Sequence, residues 1–211
     1  MKTVIVSGGK APSLNLLKNE LKDAQTLIGV DSGGNYLKDC DIIPDFLVGD
    51  FDSINKTTLE YFKNSKCEVI EYPRDKDFTD TELALQLALE LKSDAILLLG
   101  CTGTRIDHII GNLGLLRACV EQGIQAFIKD DNNSIMLTDK PIKINAKPGT
   151  TFSLQAFSET VSNLTIKGSK FPLNNHELKI GDPLTISNQF LEEDVEIYFS
   201  QGLLMILYCR D

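Results

Sequence analysis

The feature that most limits what this chain can fold into is the alternation of short apolar runs with helical patterns over its first two-thirds. Six runs have the composition of buried strands, at residues 3–7, 26–30, 46–48, 67–72, 95–100 and 125–128. Segments with helical character lie between them, around residues 12–22, 55–64, 79–92 and 106–121. Strands that alternate with helices predict βαβ units and a mostly parallel sheet.

The helix predicted to begin near Thr79 has the clearest local signals. Leu83, Leu87 and Leu91 recur every four residues and form one apolar stripe. Glu82 follows Thr79 by three residues, which is the spacing of a capping box. The sequence therefore predicts a helix N-terminus at this point.

The pattern changes after about residue 133, where helical periodicity disappears. Short strand-like runs follow at residues 134–138, 142–144, 151–156, 161–166, 184–187, 195–199 and 203–208. Glycines and prolines separate them, as in a small antiparallel sandwich or barrel. We therefore expect two domains, an α/β domain over residues 1–140 and a β-sandwich over residues 141–211, joined near Lys140 and Pro141.

The charge of the chain excludes some classes of partner. The formal net charge is −9, and a net charge of −7 lies between residues 31 and 82. An acidic chain is a poor candidate for nucleic-acid binding, whereas clustered carboxylates suit metal ions or form a solvated acidic face. No apolar run approaches the roughly 18 residues of a membrane helix, and no secretory signal is visible. The five cysteines include no C-x-x-C pair, so we expect reduced thiols and a cytoplasmic protein without membrane attachment.

Several familiar motifs are missing. The sequence contains no G-x-x-x-x-G-K-[ST], and residues 7–10 (SGGK) do not match G-x-G-x-x-G after the first predicted strand. With only two histidines, a metal site built from several histidines is excluded.

Four other segments carry acids, glycines or both, and each follows a predicted strand. Residues 49–53 (GDFDS) place Asp50 and Asp52 in a turn where both can reach one Mg2+, although Asp52 or Ser53 could instead cap a helix. Residues 74–80 (RDKDFTD) precede the helix at 79–92, whose N-terminus favours anions, although Asp80 could be purely structural there.

The third segment is residues 100–108 (GCTGTRIDH). Its glycines allow close approach of phosphates, and Arg105 can make a bidentate contact. Asp107 could bind metal or fix Arg105, and His108 could contact a phosphate or simply end a helix. The fourth segment, residues 31–35 (DSGGN), is by itself an ordinary turn as readily as a site. Together the four predict Mg2+ and phosphate binding at one sheet edge, and phosphoryl-type transfer on a nucleotide.

These four segments, in this order, resemble the D-G-G-A-N, G-D-x-D-S, K-D-x-T-D and G-x-x-G-G-R-x-D-H strings of the thiamine pyrophosphokinase family. The all-β tail resembles the family's thiamine-binding sandwich, with residues 168–173 (GSKFPL) and 187–188 (SN) as late landmarks. The chain departs from the family at Ser32 and Thr104, where glycines are usual, and it has no tryptophan.

The resemblance implies a thiamine diphosphokinase that uses Mg2+ and converts ATP and thiamine to AMP and thiamine diphosphate. It assigns catalysis to Asp50, Asp52, Asp80 and Asp107. It assigns the metal to Asp50, Asp52 and Asp80, with Asp31 joining directly or through water. Thiamine would lie near Ser187 and Asn188, and the hydroxyl proton would pass to Asp50 or Asp80. The residues it assigns to ATP and its phosphates are Gly33, Lys76, Asp77, Thr79, Gly100, Thr102, Gly103, Arg105 and His108.

The resemblance also implies a homodimer whose active site is shared between subunits. Two alternatives stay open at this point. One is a related diphosphokinase that acts on another hydroxymethyl heterocycle, such as a pterin. The other is a non-catalytic module that senses a nucleotide or thiamine.

Overall fold

The computed structural model describes residues 1–210. The chain divides into two compact units, Met1–Asp131 and a second that begins at Asn132. This division precedes Lys140 because residues 133–138 form a strand that pairs with the last strand of the chain. The domain boundary at residues 140/141 stays a prediction.

The first unit contains six strands and five helices. The strands are β1 (Lys2–Val6), β2 (Thr26–Val30), β3 (Phe46–Gly49), β4 (Glu68–Glu71), β5 (Ala95–Leu99) and β6 (Gln125–Lys129). The helices are α1 (Leu14–Leu21), α2 (Gly33–Asp39), α3 (Lys56–Lys63), α4 (Asp80–Glu90) and α5 (Ile106–Glu121). All pairings among these strands are parallel, in the order β6-β5-β1-β2-β3-β4, which confirms the predicted α/β class.

The chain order of these strands creates one topological switch point. From β1 the chain adds β2, β3 and β4 on one side, then crosses back to place β5 and β6 on the other. The loops that follow β1 and β5 therefore leave neighbouring strands in opposite directions. In open α/β sheets, ligands bind at the carboxyl ends of the strands at such a point.

Helix α2 was not predicted, because its start, Gly33 and Gly34, reads as a turn. The structure shows that packing requires these glycines. A Cβ on Gly33 would lie 2.3 Å from the Val6 carbonyl oxygen, and one on Gly34 would lie 2.9 Å from side-chain atoms of Ile54 and Leu47. The low helix propensity of glycine is thus offset by a close approach of α2 to the sheet.

The second unit has no α-helix among its described residues, as the sequence predicts. Its strands are β7 (Asn133–Thr138), β8 (Ile142–Asn145), β9 (Thr151–Ala156), β10 (Thr160–Lys167), β11 (Leu173–Lys179), β12 (Asn188–Gln189), β13 (Asp194–Tyr198) and β14 (Leu204–Cys209). They pair antiparallel in the orders β12-β9-β14-β7 and β11-β10-β13-β8. Alternate residues such as Phe152, Leu154, Val195 and Ile197 are fully buried and form the core.

Two details of the second unit differ from the sequence prediction. The run at 184–187 is not a strand, because the Asp182 side chain accepts the N–H of Leu184 and starts a short 3-10 turn over Pro183–Thr185. Strand β11 was missed, because only Leu178 of its seven residues is buried and its sequence is polar.

Two further features of residues 1–210 bear on the expectations from composition. None of the five cysteines, all of which lie in this range, forms a disulfide. None of the helices in this range has the length and apolar character needed to cross a membrane.

Candidate active site

The carboxyl edge of the parallel sheet gathers the four predicted segments. Asp31 follows β2, Asp50 follows β3, residues 74–80 connect β4 to α4, and Gly100 follows β5. Because these strands are parallel neighbours, their ends open onto one edge. What the sequence could not give is which side chains meet there.

Three carboxylates meet closely at this edge. Oxygens of Asp31, Asp50 and Asp52 all lie within 4.8 Å of one another. Asp31 adopts a left-handed backbone with φ of 43°, and its N–H donates to the Val48 carbonyl at 2.9 Å. Gly49 makes room for it, since a Cβ at Gly49 would lie 3.1 Å from the Asp31 Cβ. We call Asp31, Asp50 and Asp52 the carboxylate triad.

Asp31 is the most unusual member of the triad. Its Oδ1 is buried and has no hydrogen-bond partner. Burial raises the pKa of this carboxyl, the charges of Asp80 and Asp52 raise it further, and the N–H groups of Ser32 and Ser53 only partly oppose this. A buried carboxylate oxygen without a donor is costly unless a cation satisfies it. The triad thus fits a hard divalent cation, which prefers carboxylate oxygens.

Asp80 was predicted to join Asp50 and Asp52 as a metal ligand, but it is outside the group of oxygens just described. Lys76 holds it instead, with the ammonium nitrogen 3.1 Å from Asp80 Oδ1 and 3.4 Å from Asp50 Oδ2. Partial burial raises the pKa of Asp50, but the Asp52 N–H and the Lys76 ammonium outweigh it and leave that pKa below its ordinary value. Arg74 pairs with Asp52 at 3.0 Å.

The start of α4 fixes the position of Asp80. The Thr79 hydroxyl accepts the Glu82 N–H at 3.2 Å, which is the cap that the sequence predicts. Asp80 is the first residue of the helix, where a carboxylate is favoured by the helix dipole. Ser7 reaches this helix from the end of β1, with its hydroxyl 3.0 Å from that of Thr81.

The loop after β5 lies against the loop after β1. Gly9 N–H donates to the Gly100 carbonyl at 2.8 Å, and Lys10 N–H donates to the Thr102 carbonyl at 2.6 Å. A Cβ on Gly9 would lie 2.2 Å from the Thr102 oxygen, and one on Gly100 would lie 2.1 Å from the Ser7 oxygen. The two loops therefore form one glycine-dependent pair at the topological switch point.

Residues 7–10 are the part of the site that sequence reasoning missed. They were set aside because they match no nucleotide-binding fingerprint. The available signal was position, since they follow the first strand and contain two consecutive glycines.

Arg105 and Asp107 pair with each other at the edge of this loop. The Arg105 guanidinium donates from Nε to Asp107 Oδ1 at 3.2 Å and from its terminal nitrogen to Oδ2. Arg105 lowers the pKa of Asp107 to about 2. Both side chains are exposed, so the guanidinium is accessible to an anion. Thr102 is oriented by a hydrogen bond to Asp130 at 2.9 Å.

In the second unit, Ser187 and Asn188 have different surroundings. Ser187 is exposed, with φ of 59°, and its N–H donates to the Ser153 hydroxyl at 3.0 Å. Asn188 is buried, and its amide oxygen accepts the Phe171 N–H while its nitrogen donates to the Phe171 carbonyl and Ser169. Asn188 thus holds a loop, whereas Ser187 faces solvent.

Comparison with known proteins decides the family. The model described as "Thiamin pyrophosphokinase, catalytic domain" matches residues 17–128, and the one described as "Thiamin pyrophosphokinase, vitamin B1 binding domain" matches residues 140–204. The chain belongs to the thiamine pyrophosphokinase family. The resemblance inferred from the four segments is thereby confirmed, and the family is one of enzymes.

Individual relatives agree over the full length. A thiamine pyrophosphokinase of Bacillus subtilis is 35% identical, with 100% of both chains covered. The solved structure of the thiamine pyrophosphokinase from that organism has a TM-score of 0.91 at 33% identity and covers 100% of both chains. The structure of the thiamin pyrophosphokinase from Geobacillus thermodenitrificans has a TM-score of 0.87 at 30% identity, covering 100% of this chain and 98% of the other.

Proposed function

We propose that this protein transfers the pyrophosphoryl group of ATP to the hydroxyl of thiamine, giving thiamine diphosphate and AMP. The full-length similarity to thiamine pyrophosphokinases supports thiamine as the acceptor of this group. The carboxylate triad, with its unpartnered buried oxygen beside the topological switch point, is the single observation that carries the chemistry. The triad offers carboxylates for the metal ion of a bound triphosphate, at the sheet edge where α/β proteins bind ligands.

The triad is the proposed Mg2+ site. Asp31, Asp50 and Asp52 would hold the ion, and Asp80 would complete the set that the family resemblance assigns. Bound there, Mg2+ would neutralise phosphate oxygens as charge develops on them. The buried oxygen of Asp31 supports this assignment, because a cation would remove the cost of leaving it unpaired.

The paired loops after β1 and β5 are the proposed phosphate site. Glycines at positions 9 and 100 let the two loops pack directly against each other, and Arg105 is exposed beside them. Asp107 orients the Arg105 guanidinium, and His108 in the first turn of α5 would donate to a phosphate. Gly33, Asp77, Thr79 and Thr102 are assigned to the same nucleotide site by the resemblance.

In the reaction, the thiamine hydroxyl oxygen forms a bond to the β-phosphorus of ATP. The bond from that phosphorus to the oxygen bridging the α- and β-phosphates breaks, and AMP leaves with the electron pair. The hydroxyl proton passes to Asp50 or Asp80. The residues mainly position the reactants and stabilise charge, as is usual in phosphoryl transfer.

Ser187 is the proposed thiamine contact in the second unit. Its exposure and its fixed backbone support this role, and the cationic ring suits an acidic protein. The same proposal includes a homodimer that shares each site between its subunits. It also includes a cytoplasmic location and the absence of nucleic-acid and membrane partners. Mixing the Asp52→Asn and Ser187→Ala proteins tests the shared site when thiamine is kept far below the raised KM of Ser187→Ala. A hybrid dimer would then hold one intact site and should be faster than either parent protein.

The experiment that tests the reaction is an acceptor panel. Purified protein is incubated with ATP, Mg2+ and either thiamine or a hydroxymethylpterin, and all products are separated by chromatography. AMP and thiamine diphosphate in equal amounts support the proposal. ADP with thiamine monophosphate would show that the wrong phosphorus is attacked. Turnover with the pterin alone would favour the alternative acceptor, and no turnover with either would favour a sensing module.

A further inference from the structure

The Lys76 ammonium occupies a fully formed site between two carboxylates. Its nitrogen lies 3.1 Å from Asp80 Oδ1, 3.4 Å from Asp50 Oδ2 and 3.0 Å from the Pro73 carbonyl oxygen. The ammonium donates hydrogen bonds to Asp50 and Pro73, whereas its contact with Asp80 is an ion pair that leaves Asp80 Oδ1 without a hydrogen-bond partner. The side chains of Lys76 and Asp50 are each only 12% exposed. This is therefore a partly buried contact and not a loose surface ion pair.

The triad, Asp80 and the two cations that contact them form a group whose charges do not balance. The triad and Asp80 contribute four carboxylates, while Lys76 and Arg74 contribute two positive charges. The excess of two negative charges equals the charge of one divalent ion. Arg74 is 78% exposed, so its contact with Asp52 is screened by water, whereas the Lys76 contacts are protected.

We propose that Lys76 is an internal cation that competes with the divalent ion for Asp50 and Asp80. Asp80 joins the ion only after Lys76 has been released. This inference rests on the proposed function, because it concerns the metal site assigned there. It also accounts for the position of Asp80, which the family resemblance assigns to the metal, beside Lys76 and outside the triad.

The competition has a consequence for the order of binding. A divalent ion arriving alone must share Asp50 with Lys76 and cannot recruit Asp80. A nucleotide supplies phosphate oxygens that accept the released ammonium, so metal and nucleotide favour each other's binding. Lys76 therefore links the metal site to the phosphate site.

The test titrates the full chain with Mn2+ in the absence of nucleotide. Electron paramagnetic resonance measures the concentration of free Mn2+ and so gives the dissociation constant. In Lys76→Met the competing charge is gone, and the Mn2+ dissociation constant should fall roughly tenfold, as expected for removing one cation near a partly screened site. Lys76→Arg keeps the charge and should stay within about twofold of wild type. Arg74→Gln removes an equal charge from Asp52 and should change the constant by less than about threefold.

A double-mutant cycle identifies the role of Asp80. If Asp80 joins the ion once Lys76 is gone, Asp80→Asn should remove most of the gain seen in Lys76→Met. The same change in the wild-type background should have a much smaller effect. Thermal unfolding of each variant checks that it is folded, and Lys76→Gln serves as a second neutral variant.

Three results would overturn the inference. They are an unchanged Mn2+ affinity in both neutral Lys76 variants, an equal gain in Arg74→Gln, and a gain that persists without Asp80. Failure of Mn2+ to bind any of the proteins would overturn the metal site together with the inference. A confirmed gain in a protein that makes no thiamine diphosphate would instead reject the proposed function and leave the Lys76 competition standing.

Discussion

Asp31 shows at the scale of a single residue how a binding site conflicts with stability. Its carboxylate is half-buried, its pKa is raised by burial, and one oxygen has no partner. Such a group destabilises the fold unless a cation binds to it, and groups of this kind cluster at functional sites. Asn188 is the opposite case, because the oxygen and the nitrogen of its buried amide both have hydrogen-bond partners within the protein.

Replacing Asp31 should therefore separate stability from activity. Asp31→Asn removes an uncompensated buried charge, so the melting temperature without metal should stay the same or rise. The formation of thiamine diphosphate should fall by about two orders of magnitude, which is about 2.7 kcal/mol of transition-state stabilisation. Calorimetry and steady-state assays measure the two effects. A variant that loses stability but keeps its kcat would contradict the role assigned to Asp31.

Asn188 and Ser187 should respond differently to alanine. Asn188→Ala removes the acceptor of the Phe171 N–H and the donor to Ser169 and the Phe171 carbonyl, and should cost about 1–3 kcal/mol of unfolding free energy. Ser187→Ala, at an exposed position, should leave the unfolding midpoint unchanged and raise the KM for thiamine. Urea unfolding and acceptor titrations provide the readouts. Equal stability of both variants would show that Asn188 does not hold the loop.

At the scale of elements, the strand ends were predictable and their mutual contacts were not. Each of the four segments could be placed at the carboxyl edge because the apolar runs identify the strands. Residues 7–10 and helix α2 were missed, since their glycines are explained by close approaches that only the folded chain shows. Strand β11 was missed because it is polar and only one of its residues is buried. The contact of Lys76 with Asp50 likewise depends on side chains from two separate loops meeting in space.

The paired loops after β1 and β5 give a prediction at this scale. Gly9→Ala would push a Cβ against the Thr102 and Gly100 carbonyl oxygens, which lie 2.2 and 2.5 Å from its position. We expect a loss of about 1–3 kcal/mol from overpacking and a raised KM for ATP. Gly114→Ala is the matched control, because its Cβ meets nothing within 4 Å and alanine favours the helix by about 1 kcal/mol. An ATP KM unchanged in Gly9→Ala would argue against the phosphate site.

At the scale of the whole chain, each unit has its own core, and the two family models cover both. In the first unit, Glu20 on α1 links Lys2 on β1 to Lys129 on β6, with both nitrogens 3.0 Å from its oxygens. Burial raises the pKa of Glu20, but hydrogen bonds from Lys2 and Lys129 outweigh it and hold the pKa below its ordinary value. This pairing ties a helix to two strands of the sheet.

The Glu20 pairing predicts a pH-dependent contribution to stability. Because its folded pKa is depressed, the contribution is present above the ordinary value of 4.5 and is lost as the pH falls through the folded pKa. Glu20→Gln should therefore lower the urea midpoint at pH 7, at a cost of about 1–2 kcal/mol, and the difference from wild type should shrink at acidic pH. Asp23→Asn, which removes an exposed partner of Lys2, is the control and should change little. A difference from wild type that stays constant as the pH falls far below 4.5 would refute this account.

The most direct test of the central claim follows the label of [γ-32P]ATP in the presence of thiamine and Mg2+, with wild-type and Asp52→Asn proteins side by side. The account predicts that the wild type places the label in thiamine diphosphate and leaves AMP unlabelled. It predicts that Asp52→Asn, still folded, does so about 100-fold more slowly, because a member of the carboxylate triad is lost. Label recovered in thiamine monophosphate, or an Asp52→Asn protein as fast as wild type, would contradict it.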